Sequence, residues 1–258
     1  MVAKTTKEIE LLRESGRRLA SHLKELSKMV KPGVTPKEID AKARELLKAD
    51  GDQAAFLGYG SGKNGEKFPS VICVSVNDTI VHCPGSGFSS TKAFEEGDVV
   101  SLDFGVKHKG FYTDHAMTII AGEKHDPKDE EMVKAAYEAV EAGIAQARVG
   151  NTTGDIGEAV EKVAKKYGLG FPRNLSGHGV GKKVHEEPHV PNFRDPRHDT
   201  LLEEGLVIAI EPMFARGSGD LYVDEDGFSY RTKDGSRTAH VEHTIIVTKN
   251  SPEVLTKV

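Results

Sequence analysis

The sequence predicts an α/β (α+β) fold built from two related halves. Amphipathic helical segments alternate with strand-like runs along the chain, and three short motifs recur in the same order in the second half. No low-complexity linker divides the chain, so we expect a single domain over residues 1–258, with pseudo-repeat halves at about 5–121 and 127–248. A chain of 258 residues buries roughly three quarters of its unfolded surface and needs no disulfides for stability.

Local start and stop signals predict the helices, and apolar runs predict the strands. Apolar residues at helical spacing predict a first helix over residues 6–30. Thr35 suits the N-cap of a second helix and Pro36 its first position, and this helix runs to Gly51. The remaining predicted elements are, in chain order, strands at 70–76, 98–106 and 111–121, helices at 127–149 and 153–167, and strands at 206–212 and 240–248.

Three pairs of similar segments indicate an internal duplication. EEGDVVSLD at 95–103 recurs as EEGLVIAIE at 203–211, and an acid–His pair at 114–115 recurs at 242–243. Four identities link the segment around the second predicted helix to the segment around the fourth, all 117 residues apart: Gly33/Gly150, Thr35/Thr152, Ile39/Ile156 and Gly51/Gly168. Because the three pairs follow the same order, a duplication explains them better than chance similarity of amphipathic segments.

Composition and charge exclude several classes of protein. A net charge of −5 argues against specific binding to nucleic acid, which needs a concentrated basic face. The two cysteines, Cys73 and Cys83, are too few for a secreted disulfide framework. No secretion signal and no long apolar run is visible, so we expect a cytoplasmic protein that does not enter a membrane.

Four acids stand at equivalent places in the two halves. Asp103 follows the apolar run 99–102, Glu211 follows a similar run in the second half, and Asp114 and Glu242 open apolar runs. Neighbouring strands and a pseudo-twofold would bring the four carboxylates together, where they repel one another unless cations neutralise them. The pattern therefore predicts a centre with two divalent metal ions.

Histidines complete this set. His178 lies between two glycines and can supply a nitrogen ligand, while His82 ends a strand at a turn, where it can face a cleft. His185–His189 matches the HExxH zinc pattern, but Pro188 is incompatible with the helix that this pattern needs; His185 itself stays of interest. By strand alternation, the histidines after two of the acids point to the opposite face of the sheet. We assign structural or surface roles to the remaining histidines: His22, His108, His115, His125, His189, His198, His240 and His243.

The ordered set Asp103, Asp114, His178, Glu211 and Glu242 resembles the metal-ligand series of the methionine aminopeptidases. The surrounding motifs are similar too: KPGVT at 31–35, NDTIVH at 77–82, GHGVGKKVHEEP at 177–188, AIEPM at 209–213 and AHVEHT at 239–244. The resemblance covers essentially the whole chain and is greatest to the bacterial-type short form, type I. It implies the pita-bread fold, a curved antiparallel sheet with two pseudo-symmetric halves flanked by helices.

The resemblance also implies an activity and its residues. Two divalent ions, with Co, Mn or Fe favoured and Zn permitted, would support removal of the N-terminal methionine from nascent polypeptides with a small second residue. Glu211 would be the general base, and His82 and His185 would hydrogen-bond the peptide and the tetrahedral intermediate. The expected S1 pocket consists of Phe56, Tyr59, Phe68, Cys73 and Val184. We expect a monomer and leave docking to the ribosome open.

Departures from the family pattern affect the pocket more than the metal set. Cys83-Pro84-Gly85 replaces the usual residues after His82, and loop 60–67 is longer than typical and lacks the histidine expected after Tyr59. The alternatives are an aminopeptidase P or prolidase cleaving before proline, a non-catalytic pita-bread module that binds proteins or nucleic acid, and a two-metal phosphoesterase.

Overall fold

The computed structural model describes residues 1–60, 62 and 65–258 of the chain. Its α-helices are α1 (Thr6–Ser27), α2 (Pro36–Asp50), α3 (Pro127–Gln146) and α4 (Thr153–Tyr167), and a short 3₁₀ turn spans Phe88–Thr91. In this described part of the chain, none of the helices has the length and apolar character needed to cross a membrane.

Fourteen strands are found among the described residues. They are β1 (Gln53–Ala54), β2 (Ile72–Val76), β3 (Thr79–Val81), β4 (Val99–His108), β5 (Phe111–Ile120), β6 (Ser176–Gly179), β7 (Glu186–Pro191), β8 (Val207–Ile210), β9 (Met213–Ala215), β10 (Leu221–Val223), β11 (Tyr230–Thr232), β12 (Thr238–His240), β13 (Glu242–Ile246) and β14 (Glu253–Val254).

A nine-stranded antiparallel sheet forms the centre of the molecule. Its order is β1-β4-β5-β13-β8-β6-β7, with β2 paired to β4 and β14 paired to β13. Two small sheets, β10-β11-β3 and β12-β9, complete the arrangement. The middle of the large sheet joins β5 of the first half to β13 of the second, so residues of both halves meet there.

The helices of the two halves begin and end in the same way. Thr35 caps α2 and Thr152 caps α4, each in a reciprocal capping box with an acid three residues later. Both helices have 15 residues and end at a glycine in the left-handed conformation, Gly51 at φ 69° and Gly168 at φ 64°. These matching ends agree with the predicted duplication; the boundaries of the two halves stay a prediction.

Two large hydrophobic clusters bury the helices against the sheet. In one cluster, α1 and α2 pack on β2 and β4 through residues such as Leu23, Ile39 and Phe104. In the other cluster, α3 and α4 pack on β8 and β13 through residues such as Ile156 and Ile208. Since the helices cover one face of the sheet in each half, the carboxylates predicted to cluster must lie on the other face.

The predicted strands 206–212 and 240–248 are each interrupted in the structure. β8 ends at Ile210, because Pro212 has no N–H to donate to a ladder, and the chain continues into β9 of a different sheet. Likewise Val241 separates β12, which pairs with β9, from β13, which pairs with β8. The two interruptions face each other, and Val241 N donates to the Pro212 carbonyl at 3.2 Å. Glu211 therefore lies at a bend between two sheets.

Other predicted ends differ by a few residues. The first and third helices end earlier than predicted, at Ser27 and Gln146. Most of the segment that matches HExxH lies in β7, which begins at Glu186, and this agrees with the rejection of a zinc-binding helix.

Candidate active site and metal centre

Strand register places three of the four predicted carboxylates on one face of the central sheet. Ala116 of β5 lies opposite Asp103 of β4 on one side and opposite Glu242 of β13 on the other. Asp114 lies two residues before Ala116 on the same strand, and hence on the same face. Asp114 is the fourth residue of β5 and does not open it, whereas Glu242 is the first residue of β13, as predicted.

The histidines that follow two of these acids lie on the opposite face, as predicted. His115 pairs in register with His243, and their rings stack with centroids 4.5 Å apart. His115 Nδ1 contacts the Glu242 carbonyl, and His243 Nδ1 lies 2.9 Å from Thr256 Oγ1. This stacked pair joins the two halves directly behind the acids.

His178 and Glu211 approach the carboxylates from the neighbouring strands. His178 Nε2 lies 3.4 Å from Glu211 Oε1. His178 Nδ1–H donates to the Gly179 carbonyl at 2.9 Å, which leaves Nε2 with a free lone pair. A histidine whose other nitrogen donates to a carbonyl is oriented as metal-binding histidines are.

The glycines around His178 allow the neighbouring strands to pack closely. A Cβ on Gly177 would lie 2.4 Å from the Ala209 carbonyl oxygen, and a Cβ on Gly179 would lie 2.1 Å from the Glu187 carbonyl oxygen. No other residue leaves room for the neighbouring backbones at these two positions.

Burial and mutual repulsion disfavour the ionised forms of the four acids. Burial raises the pKa of Asp103 to about 8, with a further contribution from Glu211. Burial and neighbouring carboxylates raise the pKa values of Asp114, Glu211 and Glu242 well above their usual range. Among the described residues, neither Asp103 Oδ1 nor Glu242 Oε1, both buried, has a hydrogen-bond partner. Such orphaned oxygens and mutual repulsion are what a bound cation would relieve.

These donors fit a divalent cation. Ligand atoms of Asp114, His178 and Glu242 all lie within 4.8 Å of one another, and all three residues are buried. Four carboxylates and one imidazole form an oxygen-rich set, which suits Mn, Fe or Co better than a structural zinc.

The other two predicted histidines lie beside this cluster. His82 adopts a left-handed backbone conformation at φ 61°, unusual for a residue other than glycine, and its ring lies edge-on to Tyr230 at 5.5 Å. His185 lies edge-on to His178 with ring centroids 4.3 Å apart. Burial lowers the pKa of both His82 and His185 to about 4, so both rings are neutral hydrogen-bond donors at pH 7.

A cavity of about 560 Å³ opens onto the cluster. Its lining includes the predicted pocket residues Phe56, Tyr59, Phe68 and Cys73 as well as His82 and His185. Val184 packs against Phe56, Phe68 and Cys73 and is not among the described residues that line the cavity. Of the unusual loop 60–67, Ser61, Lys63 and Asn64 lie outside the described residues.

Sequence reasoning missed several residues in or beside the cavity. Phe228 contacts Phe68 edge-on at 5.5 Å, and Tyr230 backs His82. His189, which we assigned a structural role, lines the cavity and lies 3.0 Å from Ser176 Oγ. His240, assigned likewise, lies 3.5 Å from Glu211 Oε2. The sequence could have indicated both His189 and His240, because each lies in a segment with proposed site residues: GHGVGKKVHEEPH for His189 and AHVEHT for His240.

The structural assignment of the other histidines agrees with their contacts. His22 lies 2.9 Å from Asp50, and His108 lies 2.7 Å from Asp52. The two pairs tie α1 and β4 to the end of α2 and the residues just after it.

Comparison with known proteins agrees with this geometry. Residues 10–249 match metallopeptidase family M24. A methionine aminopeptidase of Aquifex aeolicus is 40% identical over 254 residues, covering 97% of this chain and 96% of that protein. The crystal structure of a methionine aminopeptidase from Thermotoga maritima matches with a TM-score of 0.92 and 37% identity, with both chains covered completely.

The alternative peptidases share the fold at greater distance. The prolidase from Pyrococcus horikoshii OT3 matches with a TM-score of 0.75 and 26% identity, and the match covers all of this chain but 64% of that one. The pita-bread fold and the resemblance to methionine aminopeptidases are thus confirmed. The chain belongs to metallopeptidase family M24.

Proposed function

We propose that this chain is a dinuclear-metal methionyl aminopeptidase, a hydrolase that removes the N-terminal methionine of nascent polypeptides whose second residue is small. The observation that carries the proposal is one place in the fold where four carboxylates and His178 adjoin a cavity lined by aromatic side chains. The full-length similarity to methionine aminopeptidases supports it.

The proposed ligands divide between two divalent cations. Asp103 would hold one cation, His178 and Glu211 the other, and Asp114 and Glu242 would be shared. When bound, such cations supply Lewis-acid chemistry: they neutralise the carboxylates, polarise the scissile carbonyl and make a water molecule more acidic.

The chain's own residues move the proton and stabilise developing charge. Glu211, the least buried of the four acids with a side chain 12% exposed, would accept the proton of the attacking water and deliver it to the departing amine. His82 and His185 are neutral donors at the edge of the cavity, so they would hydrogen-bond the peptide carbonyl and the tetrahedral intermediate.

The apolar part of the cavity would take the methionine side chain. Phe56, Phe68, Phe228 and Cys73 offer polarisable surfaces to a flexible thioether. The Cys73 thiol is protonated there, because burial and the nearby Asp103 raise its pKa.

A release assay after chelation tests the proposal. The peptide Met-Ala-Ser is compared with Ala-Ala-Ser and with Ala-Pro-Ser, as Mn, Fe, Co or Zn is added back. We expect release of methionine from Met-Ala-Ser, little release from the other two peptides, and no turnover by Glu211→Gln, which keeps the shape of the side chain but lacks the base.

Two outcomes would contradict the proposal. Faster cleavage of Ala-Pro-Ser indicates an enzyme that cleaves before proline, as aminopeptidase P does. Peptide binding without turnover under every metal indicates a binding module. Action in the cytoplasm, a monomeric state and docking to the ribosome stay predictions.

A further inference from the structure

His240 is a buried histidine with no assigned partner. Its side chain is 2% exposed, and within the described part of the chain neither ring nitrogen has a hydrogen-bond partner. Nε2 lies 3.5 Å from Glu211 Oε2. A buried polar side chain without a partner is costly, so its orientation toward a carboxylate calls for an explanation.

The backbone around His240 is held firmly. His240 N donates to Thr118 Oγ1 at 2.9 Å, and Thr118 Oγ1 donates to the His240 carbonyl at 2.6 Å. His240 also pairs in register with Met213, two residues after Glu211. Strand pairing and the threonine bridge therefore fix the position of the ring relative to Glu211.

A histidine ring faces each carboxylate oxygen of Glu211. One carboxylate oxygen, Oε1, faces His178 Nε2 at 3.4 Å, and the other, Oε2, faces His240 Nε2 at 3.5 Å. The Glu211 carbonyl accepts from Asn192 Nδ2 at 3.0 Å, which anchors the backbone but leaves the side-chain torsions free. Of the two rings, only that of His240 can donate a hydrogen bond that sets these torsions, because His178 Nε2 carries a lone pair.

We propose that His240 is a positioning residue for Glu211: its Nε2–H donates to Oε2 and holds the carboxylate so that Oε1 faces His178. The catalytic consequence rests on the proposed function, whereas the contact itself does not. A glutamate that serves as a base needs a hydrogen bond that fixes its side chain, because a small misplacement of a reacting group lowers the rate strongly.

Two variants test the role. His240→Gln keeps an N–H donor and His240→Leu removes it with similar bulk. We expect His240→Leu to lower kcat for Met-Ala-Ser by about 10- to 100-fold with KM nearly unchanged, and His240→Gln to restore most of that loss. Both variants should bind as many equivalents of Mn²⁺ as the wild type.

A spectroscopic measurement tests the contact without turnover. In metal-free protein, the ¹⁵N spectrum of the His240 ring should show the hydrogen on Nε2, and the signal should move in Glu211→Gln. If the wild type releases no methionine from any peptide, the proposed function fails and this spectrum still decides on the contact.

Three results would overturn the proposal. Loss of one metal equivalent in His240→Leu would make His240 a ligand. Equal loss of kcat in the Gln and Leu variants would show that the N–H is not what matters. A ring hydrogen on Nδ1 would leave nothing to donate to Glu211.

Discussion

The Tyr59 hydroxyl lies 2.7 Å from His185 Nδ1, and this contact joins the segment after Phe56 to the start of β7. The two ring centroids are 5.0 Å apart. Tyr59 is 44% exposed and lines the cavity. Its side chain therefore forms part of the cavity wall and also connects two segments at the cavity mouth. The hydrogen bond between the Tyr59 hydroxyl and Nδ1 fixes the orientation of the His185 ring relative to the cavity.

Tyr59→Phe should therefore weaken catalysis while keeping the pocket wall. The loss of one hydrogen bond is worth about 0.5–1.5 kcal/mol, so we expect kcat/KM for Met-Ala-Ser to fall about 2- to 10-fold. Tyr222→Phe is the matched control, because Tyr222 is equally exposed at 44% and does not line the cavity. Equal effects of the two substitutions in steady-state kinetics would refute the role of the Tyr59 hydroxyl.

His82 and His178 should respond differently to removal. His178→Ala should cost one metal equivalent, whereas His82→Ala should keep both and lower kcat by about 10²- to 10³-fold, since a donor aimed at developing charge is lost. Atomic emission and steady-state kinetics on the same samples measure the two effects, with His125→Ala as a surface control. If His82→Ala loses a metal equivalent, His82 is a ligand and the division of roles is wrong.

The sequence predicts the helices well, because capping residues act on the turn in which they lie. Thr35 at the N-cap and Gly51 at the C-terminal end of α2 each stabilise their own turn, and both lie as predicted. The acids were predictable for a different reason: a carboxylate in an apolar strand is expensive to bury without a partner or cation.

The residues of the site that the sequence did not reveal are brought there by pairing between strands that are distant in the chain. His240 reaches Glu211 because β12 pairs with β9, and a single residue, Val241, then returns the chain to the large sheet. Tyr230 reaches His82 because β11 pairs with β3. Short strands of three residues carry too little periodicity to predict such pairings.

The pKa of Asp103 predicts how pH affects the chelated protein. Burial raises this pKa from 3.8 to about 8 in the folded state. Below pH 4 Asp103 is protonated in the folded and in the unfolded state, and its raised pKa does not change the free energy of unfolding. As the pH rises toward 8, Asp103 ionises in the unfolded state but stays protonated in the folded state, so the folded state loses stability. Asp103→Asn removes this loss of stability. Because the variant is compared with the wild type at each pH, the contributions of the buried histidines to the pH dependence cancel.

In EDTA, Asp103→Asn should therefore melt above the wild type, by on the order of 5 °C at pH 8, with a smaller gain at pH 5. Differential scanning calorimetry at both pH values measures this. Saturating Mn²⁺ should reverse the order, because the variant lacks one of the proposed metal ligands. A variant less stable than the wild type in EDTA at pH 8 would contradict the raised pKa.

Asp129 should matter for stability and not for chemistry. Its fully buried carboxylate lies 2.8 Å from Arg216 Nη1 and 2.8 Å from Arg237 Nη1, and so ties α3 to the segments flanking β9 and β12. Asp129→Ala leaves two guanidinium groups without this partner and should lower the free energy of unfolding in urea by about 3 kcal/mol.

The neighbouring Glu130, whose side chain is 72% exposed, supplies the control: Glu130→Ala should change the free energy of unfolding by less than about 0.5 kcal/mol. The kcat of folded Asp129→Ala should equal that of the wild type. A stability equal to that of Glu130→Ala would show that the buried ion pairs contribute nothing.

Anomalous X-ray diffraction from crystals soaked in Mn²⁺ tests the central claim most directly. We predict two peaks roughly 3.5–4 Å apart. Asp103 should contact one peak, His178 and Glu211 the other, and Asp114 and Glu242 both. A single peak, or two peaks that any of the four acids fails to reach, would contradict a dinuclear centre built from the two halves of the chain.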